Sequence, residues 1–339
     1  MSMKLLIITQ TVDTADPILG FFVQWIAELS THFERIEVVA LKVGQYELPA
    51  NVRVHSLGKE RGAASRAAYA WRFLHLAWAL RHDYDAVFVH MNEEYVLLAG
   101  FLWKLLGKRI YMWRNHYAGS WRTRVAAALS TKVFCTSKHS YTARFKKTVL
   151  MPVGVDTDRF KPDPEVPRTP RSVLFLARMA PSKRPEMLLD ALASLARDQV
   201  EFTADFVGSP LPQDAAWYEA LKTRAAPLAP RVRFLPGVAN AETVRLYQSH
   251  QIFVNASPSG MFDKTLFEAA ASGAAVLASS KDFAALAGQD TNFDSAEALA
   301  ERLRAALTAD AQEAPVIARH SLGVLGKALY GAIYSQHAV

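Results

Sequence analysis

One stretch of the second half combines side chains that suit an anionic, hydroxylated ligand. The turn-prone residues SPSG follow the apolar run QIFVNA, and a helix then begins near Asp263 and carries Glu268 among alanines. The first-turn N–H groups of a helix bind anions, and a carboxylate can accept both hydroxyls of a ribose. Asp263 is also a suitable helix cap. Packing gives no reason for the charge of Glu268, so we predict that it holds a ligand.

Two cations follow another predicted strand. Arg178 ends the strand SVLFLAR, and Lys183 lies in MAPSKRPE, just before the next helix. A pair of cations in this place can neutralise a phosphate or a diphosphate. The residues alone leave a second interpretation open, which is an ordinary solvated loop with positive side chains.

Residues that follow other predicted strands are weaker candidates for the same ligand site. Gly208 follows FTADFV and lets a ligand approach the backbone, while Val238 follows the turn after VRFL, where free backbone groups can pair with a nucleobase. His116 lies just beyond KRIYMWR, and Gly20 opens a helix after a polar loop. Neither GxGxxG nor a Walker motif is present, which disfavours dinucleotide cofactors and NTP hydrolysis.

All these residues follow strands that alternate with helical patterns, which predicts doubly wound parallel sheets. The Pro-rich segment RFKPDPEVPRTPR interrupts the alternation. We therefore predict a first Rossmann-like domain over 1–158, a linker over 159–170 and a second domain over 171–315. A terminal helix over about 316–336 is expected to pack back onto the first domain.

Composition limits the class of protein. The single cysteine, Cys135, lies in the strand pattern KVFCTS, which predicts a reducing compartment and a buried thiol. The start MSMKLLIITQ is typical of a strand rather than of a secretory signal. The longest apolar stretch, YVLLAGFLWKLLGK, is broken by Lys104 and is too short to span a bilayer. We expect a cytoplasmic protein.

The positive charge is concentrated in the first half. Residues 1–160 carry 21 Lys and Arg against 13 Asp and Glu, whereas residues 161–339 carry 18 against 19. This excess suits an anionic partner, which is a membrane leaflet, a nucleic acid or a phosphorylated substrate, or else it only makes the surface soluble. At a membrane leaflet, the protein would attach peripherally on the inner face. One predicted helix, over 63–82, supplies basic and aromatic residues for such a contact: Arg66, Arg72, Arg81, Trp71, Phe73 and Trp78. The alternative is that these aromatic side chains pack against the sheet.

Landmarks along nearly the whole chain resemble, in order, those of the retaining GT-B glycosyltransferases of family 4: LGFF, WRNHY, MPVGVDTDRF, FLARMAPSKRPE, FVGS, RFLPGV and EAAASGAAVLAS. The resemblance implies an α/β protein of GT-B fold, with two Rossmann-like doubly wound domains that face each other across a cleft. It also implies an acceptor site on the first domain, a nucleotide-sugar site on the second, and neither a metal nor a cofactor.

The resemblance further implies a role for each matched position. Arg178 and Lys183 are expected to be the catalytic cations at the leaving diphosphate. His116 is expected to be the catalytic histidine near the reacting carbon. Contacts with the nucleotide and diphosphate fall to Gly20, Gly208, Val238 and Glu268. Contacts with the donor sugar fall to Gly260, Met261, Phe262, Asp263 and Lys264.

The chain departs from the family pattern at one position. The family usually has a glutamate eight positions before Glu268, where it contacts hydroxyls of the donor sugar, and here that position is Gly260. Another side chain must then contact the hydroxyls of the donor sugar, and Asp263 and Lys264 are the nearest candidates.

The implied function is retaining transfer of a hexose from a UDP- or GDP-sugar to a glycan or a lipid-linked acceptor. Two alternatives stay open. One is a different GT-B enzyme, either a nucleotide-sugar epimerase or an inverting transferase. The other is a non-catalytic basic binding or scaffold protein whose sugar site has decayed. Since no nucleic-acid motif or continuous basic stripe is present, we predict no nucleic-acid partner.

Overall fold

The computed structural model describes residues 3–16, 18–62, 64–260, 263–309 and 315–335. The chain divides into two compact units, of which the first comprises Met1–Gly154 and Leu322–Val339 and the second comprises Val155–Ser321. None of the described helices is long and apolar enough to cross a membrane.

In the described part of the first unit, seven parallel strands form one sheet: β1 (Lys4–Val12), β2 (Arg35–Val43), β3 (Val52–Ser56), β4 (Ala86–His90), β5 (Arg109–Trp113), β6 (Lys132–Cys135) and β7 (Thr148–Leu150). Their order is β3-β2-β1-β4-β5-β6-β7. The order therefore reverses between β1 and β4. The carboxyl ends of strands at such a reversal are where open α/β sheets bind ligands.

Helices cover both faces of this sheet. The α-helices of the described part of the first unit are α1 (Phe22–Ser30), α2 (Arg66–Ala79), α3 (Glu93–Leu105), α4 (Trp121–Leu129) and the terminal helix (Leu322–Tyr334). Helices α2, α3 and α4 share one apolar core with one face of the sheet, while α1 and the terminal helix share the other. Cys135 is buried within β6.

The terminal helix begins later than the sequence pattern suggests. It starts at Leu322, and a 3-10 helix over Pro315–His320 precedes it and belongs to the second unit. Leu325 and Leu329 are buried against α1 and the sheet of the first unit. The hydroxyl of Tyr111 on β5 donates to the carbonyl of Ile333 at 3.1 Å.

Among the described residues of the second unit, five parallel strands form its sheet: β8 (Thr169–Leu176), β9 (Thr203–Val207), β10 (Val232–Leu235), β11 (His250–Asn255) and β12 (Ala275–Ala278). Its helices are α5 (Pro185–Arg197), α6 (Ala215–Ala225), α7 (Asn240–Ser249), α8 (Lys264–Ala271), α9 (Lys281–Ala287) and α10 (Ala296–Thr308). The strand order β10-β9-β8-β11-β12 reverses between β8 and β11. The loops after these two strands therefore flank the expected ligand position.

The segment predicted as a linker, 159–170, instead packs on the second unit. Phe160 is buried against Tyr247 of α7. The guanidinium of Arg168 donates to the carbonyls of Tyr247, at 3.2 Å, and of Ser272, at 2.9 Å. Proline and charge content suggested an interdomain linker, but these side chains fix the segment to α7 and α8.

Candidate functional site

The predicted site residues of the second unit lie at the carboxyl ends of neighbouring strands. Arg178 and Lys183 follow β8, Gly208 follows β9, Val238 follows β10, and residues 257–268 follow β11. Because β8 and β11 are adjacent at the reversal of strand order, their loops come into direct contact. Met261 and Phe262 lie outside the described residues.

Lys183 and Asp263 form the centre of a polar cluster. The Nζ atom of Lys183 donates to Oδ2 of Asp263 at 2.7 Å and to Oγ of Ser257 at 3.2 Å. The same carboxylate oxygen accepts from the Ser257 hydroxyl at 2.6 Å and from Nδ2 of Asn255 at 3.0 Å. The residues after β11 thus hold one oxygen of Asp263 against the cation that follows β8.

This cluster keeps Asp263 ionised. Burial raises the pKa of the Asp263 carboxyl, but the charge of Lys183 and the hydrogen bonds from Lys183, Ser257 and Asn255 outweigh burial, so the pKa lies below its ordinary value. Asp263 occupies the position before α8, yet its side chain makes no capping hydrogen bond to that helix. The capping interpretation of Asp263 is therefore wrong, because its accepting oxygen faces Lys183 instead.

Lys264, the next residue, joins a different cluster. Its Nζ atom lies 3.6 Å from Oε1 of Glu268, one turn further along α8, and the two side chains are 15% and 4% exposed. Burial lowers the pKa of Lys264 despite the opposing charge of Glu268. Burial likewise raises the pKa of Glu268 despite the charge of Lys264. The ion pair partly compensates a carboxylate that is poorly solvated.

Tyr247 of α7 lies beside this pair. Its phenol is fully buried, and burial first, then the charges of Glu268 and Asp263, raise the pKa of Tyr247 well above its ordinary value. The phenol is therefore neutral, and its buried hydroxyl makes no hydrogen bond with the described residues. Sequence reasoning did not single out Tyr247, which lies in an ordinary helical pattern.

Arg178 stands apart from both clusters. Its side chain is exposed and makes neither a hydrogen bond nor an ion pair with the described residues. The backbone of the next residue, Met179, is fixed by a hydrogen bond to the carbonyl of Ser209 at 3.1 Å. A cation on a fixed backbone and without a protein partner is available to an anionic ligand.

Arg184 has a structural role that sequence reasoning missed. It adopts a left-handed backbone conformation, with φ 50° and ψ 48°, immediately before α5. Its guanidinium donates to the carbonyl of Ala256 at 2.7 Å and to Oγ of Ser279 at 2.9 Å. Arg184 thereby ties the loop after β11 to the end of β12. The sequence SKRPE offers two adjacent cations and no sign of which of them faces the ligand.

The remaining loops of this edge pack tightly together. A Cβ atom at Gly208, where φ is +153°, would lie 1.9 Å from the carbonyl oxygen of Ala177. The Ser209 hydroxyl accepts from the N–H of Gly237 at 3.0 Å, and the partly exposed Val238 comes next. Close packing between loops thus explains the glycine at 208. Gly260 is buried and has φ +92°, a conformation that disfavours residues with a Cβ atom.

In the first unit, His116 follows β5 in a loop with several hydrogen bonds. Its Nδ1 atom accepts from the N–H of Ala118 at 2.9 Å, and its ring stacks on Tyr117 at a centroid distance of 4.6 Å. The same Nδ1 atom lies 3.1 Å from the carbonyl oxygen of Ala118. Arg114 anchors the same loop, with Nε 2.6 Å from Oε2 of Glu93.

Gly20 closes the loop after β1. Its N–H donates to the carbonyl of Asp16 at 3.0 Å, and a Cβ atom there would lie 2.6 Å from that carbonyl oxygen. A pocket of about 310 Å³ lies elsewhere in the first unit, beyond β3, and contains none of the predicted site residues. Among the described residues, no group of three or more His, Cys, Asp or Glu side chains could hold a metal ion.

Residues 170–309 match the family model described as glycosyl transferases group 1. The D-inositol 3-phosphate glycosyltransferase of Streptomyces avermitilis is 32% identical to this chain over 158 residues, which are 42% of this chain and 34% of that protein. The chain thus spans about a third of the length of the curated relatives it matches.

Solved structures resemble the chain over almost its whole length. Anabaena HepE in complex with UDP-glucose has a TM-score of 0.71 and 20% identity, covering 99% of this chain and 98% of that one. Sucrose-phosphate synthase from Thermosynechococcus elongatus has a TM-score of 0.71 and 18% identity, covering 99% of this chain and 96% of that one. At these identities the likeness shows the fold, which is GT-B.

Proposed function

Because residues 170–309 belong to the group 1 glycosyltransferases and the chain has the GT-B fold, we propose that it is a retaining glycosyltransferase. It transfers a hexose from a nucleotide-diphosphate sugar to a glycan or lipid-linked acceptor. The observation that carries the proposal is the pair of cations at the edge of the second sheet. Arg178 has no partner among the described residues, and Lys183 is held in place by Asp263.

Lys183 has one N–H donor left for a ligand while Asp263 and Ser257 hold its ammonium group in place. An ammonium group has three N–H donors, and two of them point at Asp263 and Ser257. The third can donate to a phosphate oxygen, and the Arg178 guanidinium can bind the same diphosphate in a fork. Preorganised donors of this kind stabilise a charge that develops in the transition state, and losing one typically costs about 3 kcal/mol.

The reaction that these cations support is loss of the diphosphate from the anomeric carbon. The bond between that carbon and the phosphate oxygen breaks, and its electron pair stays with the diphosphate beside Arg178 and Lys183. The acceptor hydroxyl oxygen then bonds to the anomeric carbon from the same face. Its proton passes to the departing phosphate oxygen, and the anomeric configuration is retained. The two cations make a metal ion unnecessary in this scheme.

Asp263 contacts the hydroxyls of the donor sugar in place of the glutamate whose position is occupied by Gly260. Its Oδ2 atom is saturated by three hydrogen bonds, whereas Oδ1 makes none with the described residues. Oδ1 can therefore accept a sugar hydroxyl, while Oδ2 orients Lys183. Lys264 is directed into the other cluster, and its role toward the sugar is indirect, through Glu268.

Glu268 binds the ribose. The carboxylate is buried, its ammonium partner lies as far as 3.6 Å away, and its pKa is raised by burial. Such a carboxylate gains from additional hydroxyl donors, which the 2′ and 3′ positions of a ribose supply. The neutral phenol of Tyr247 lies beside the carboxylate.

The other predicted contacts keep their roles within this proposal. Val238 lies beside the base, the backbone at Gly208 borders the nucleotide, and Gly20 borders the diphosphate. His116 lies beside the donor sugar near the reacting carbon. Replacing His116 with Gln should lower turnover without weakening UDP binding.

A UDP-sugar is the donor that we favour, because UDP-glucose is the ligand of the structurally similar Anabaena protein. The basic first unit is assigned to the acceptor. The chain acts in the cytoplasm, where its thiol Cys135 is buried and inert.

Calorimetric titration with UDP and with GDP, each with and without EDTA, tests the donor. We expect micromolar binding of UDP that chelation does not change. Binding that requires a divalent ion would contradict the scheme with two cations, and no binding of either nucleotide would favour a decayed site in a scaffold protein.

Product stereochemistry separates the remaining enzyme classes. Incubation with a UDP-hexose and a panel of lipid-linked and soluble glycans, followed by proton NMR, should reveal a new glycosidic bond with the donor's anomeric configuration. An inverted product would indicate an inverting transferase. A changed donor sugar without transfer would indicate an epimerase.

A further inference from the structure

Large apolar side chains are concentrated on the outer side of three helices of the first unit. Of the fourteen that are exposed in the described part of the chain, seven lie on α2, α3 and α4: Trp71, Trp78, Leu98, Phe101, Leu105, Trp121 and Val125. Because the three helices cover the same face of the sheet, their outer sides face the same way.

Helix α3 is apolar on both sides. Val96, Ala99 and Trp103 are buried toward the sheet, as a helix in this layer requires. The opposite side carries Phe101, which is 70% exposed, and Leu105, which is 87% exposed, in one stripe with Leu98. A helix that faces water normally carries polar residues there, so the outer stripe of α3 is not explained by the fold.

The stripe continues onto the neighbouring helices. Gly100 of α3 lets α4 approach closely, since a Cβ atom at Gly100 would lie 3.0 Å from Leu129. The outer side of α4 then presents Trp121, which is 69% exposed, and Val125 one turn later.

On the other flank, α2 presents Trp71 and Trp78. Phe73, which the sequence pattern placed with these aromatic residues, is fully buried against Tyr95 and Trp103. It belongs to the core and not to the outer face.

The charges of this surface are almost all positive. The exposed charged residues of the three helices comprise one acid, Glu94, and five cations: Arg66, Arg72, Lys104, Arg122 and Arg124. None of the five cations forms an ion pair with a described carboxylate. The guanidinium groups of Arg72 and Arg124 also donate to the carbonyl of Leu57 and to the hydroxyl of Tyr141. No described carboxylate neutralises the five charges, so the outer face offers net positive charge to an external anionic surface.

We propose that the outer face of α2, α3 and α4 docks on an anionic lipid bilayer. The apolar stripe of α3 enters the headgroup region, the tryptophans of α2 and α4 lie at the interface, and the cations contact lipid phosphates. A protein partner of the same area would need acidic groups matched one by one to five scattered cations. A lipid surface supplies negative charge at every position. The proposal does not depend on the donor chemistry.

Co-sedimentation with vesicles tests this docking. The full chain should bind vesicles of phosphatidylglycerol and phosphatidylcholine, lose most of the binding in high salt, and bind pure phosphatidylcholine weakly. The double variants Phe101→Ser/Leu105→Ser and Lys104→Glu/Arg122→Glu should each lower partitioning by about tenfold or more. All four side chains are exposed, so the fold should be kept, which circular dichroism melting verifies.

Matched controls come from the second unit. Leu286→Ser removes another exposed apolar side chain, and Arg197→Glu reverses another exposed arginine without a described ion pair. Both should bind vesicles like the unaltered chain, and UDP binding should be unchanged in all these variants. Equal partitioning of test and control variants would overturn the proposal. So would a dimer in light scattering that the Phe101→Ser/Leu105→Ser variant dissociates, because the face would then bind a second copy.

Discussion

The ammonium group of Lys183 lies 2.7 Å from Oδ2 of Asp263, although 80 positions of the chain separate the two residues. The contact exists because β8 and β11 are neighbours at the point where the strand order of the second sheet reverses. It turns a mobile lysine into a donor of fixed direction, and it uses a carboxylate whose second oxygen stays available.

Replacing Asp263 with Asn removes this charge while keeping the shape of the side chain. We expect turnover to fall by about tenfold to a hundredfold, and the free energy of unfolding by about 2 kcal/mol, because a charged hydrogen bond is lost. The control is Asp198→Asn, which breaks a surface ion pair with Arg304 and should cost less than about 1 kcal/mol. Urea unfolding and initial rates measure the two effects, and a double-mutant cycle with Lys183→Met isolates the coupling.

The same carboxyl makes stability depend on pH in a defined direction. The pKa of Asp263 is lowered from its ordinary 3.8, so the unfolded chain binds a proton more readily than the folded one. Asp263 therefore contributes stability that is complete above the ordinary pKa and is lost as pH falls through the lowered value. Urea unfolding between pH 5.5 and about 3 should show a shallower decline for Asp263→Asn than for the unaltered chain. Parallel curves would mean that Asp263 carries no such linkage.

Arg178 offers a test of catalysis that is separate from stability. Its exposed side chain makes neither a hydrogen bond nor an ion pair with the described residues, so Arg178→Ala should leave the melting temperature unchanged. Turnover should fall by about a hundredfold to a thousandfold, since a preorganised donor to the leaving group is removed. Arg197→Ala on α5 serves as the control and should change neither quantity. Rates like those of the unaltered chain in Arg178→Ala would contradict the assignment.

Residues 170–309 match the model of the predicted family. The sequence also predicted the GT-B fold and the alternation of strands and helices, and these predictions are confirmed. The reason is that parallel strands buried on both faces leave continuous apolar runs, which Gly-rich and polar turns separate clearly. The sequence also indicated three site residues, because charged residues that follow such runs lie at the edge where open sheets bind ligands. These residues are Lys183, Asp263 and Glu268.

What the sequence could not show depends on packing. Asp263 and Lys264 are adjacent in the chain but belong to different clusters, since α8 begins between them and directs Lys264 toward Glu268. The structural role of Arg184 follows from its left-handed backbone. The outer stripe of α3 was equally hidden, because an apolar helical pattern does not tell which of two apolar sides is covered.

Glu268 should discriminate ribose from deoxyribose. We expect UDP to bind the unaltered chain about tenfold more tightly than 2′-deoxy-UDP, because a buried carboxylate loses a hydrogen-bond donor with the deoxy ligand. In Glu268→Gln, UDP should bind more weakly and the difference between the two ligands should shrink. Calorimetry of both ligands with both proteins gives the full cycle. A preference for UDP that persists in Glu268→Gln would show that Glu268 only packs against Lys264.

Restoring the family's usual glutamate at Gly260 should not improve the enzyme. The backbone there has φ +92°, and a residue with a Cβ atom in the left-handed region costs about 1–2 kcal/mol. Gly260→Glu should therefore lower the free energy of unfolding by about that amount without raising turnover, because Asp263 already supplies an acceptor for the sugar. Gly260→Asn, which tolerates this conformation better, controls for the backbone effect. A gain in turnover for Gly260→Glu would mean that the loop can return to the usual conformation and that Asp263 does not replace the glutamate.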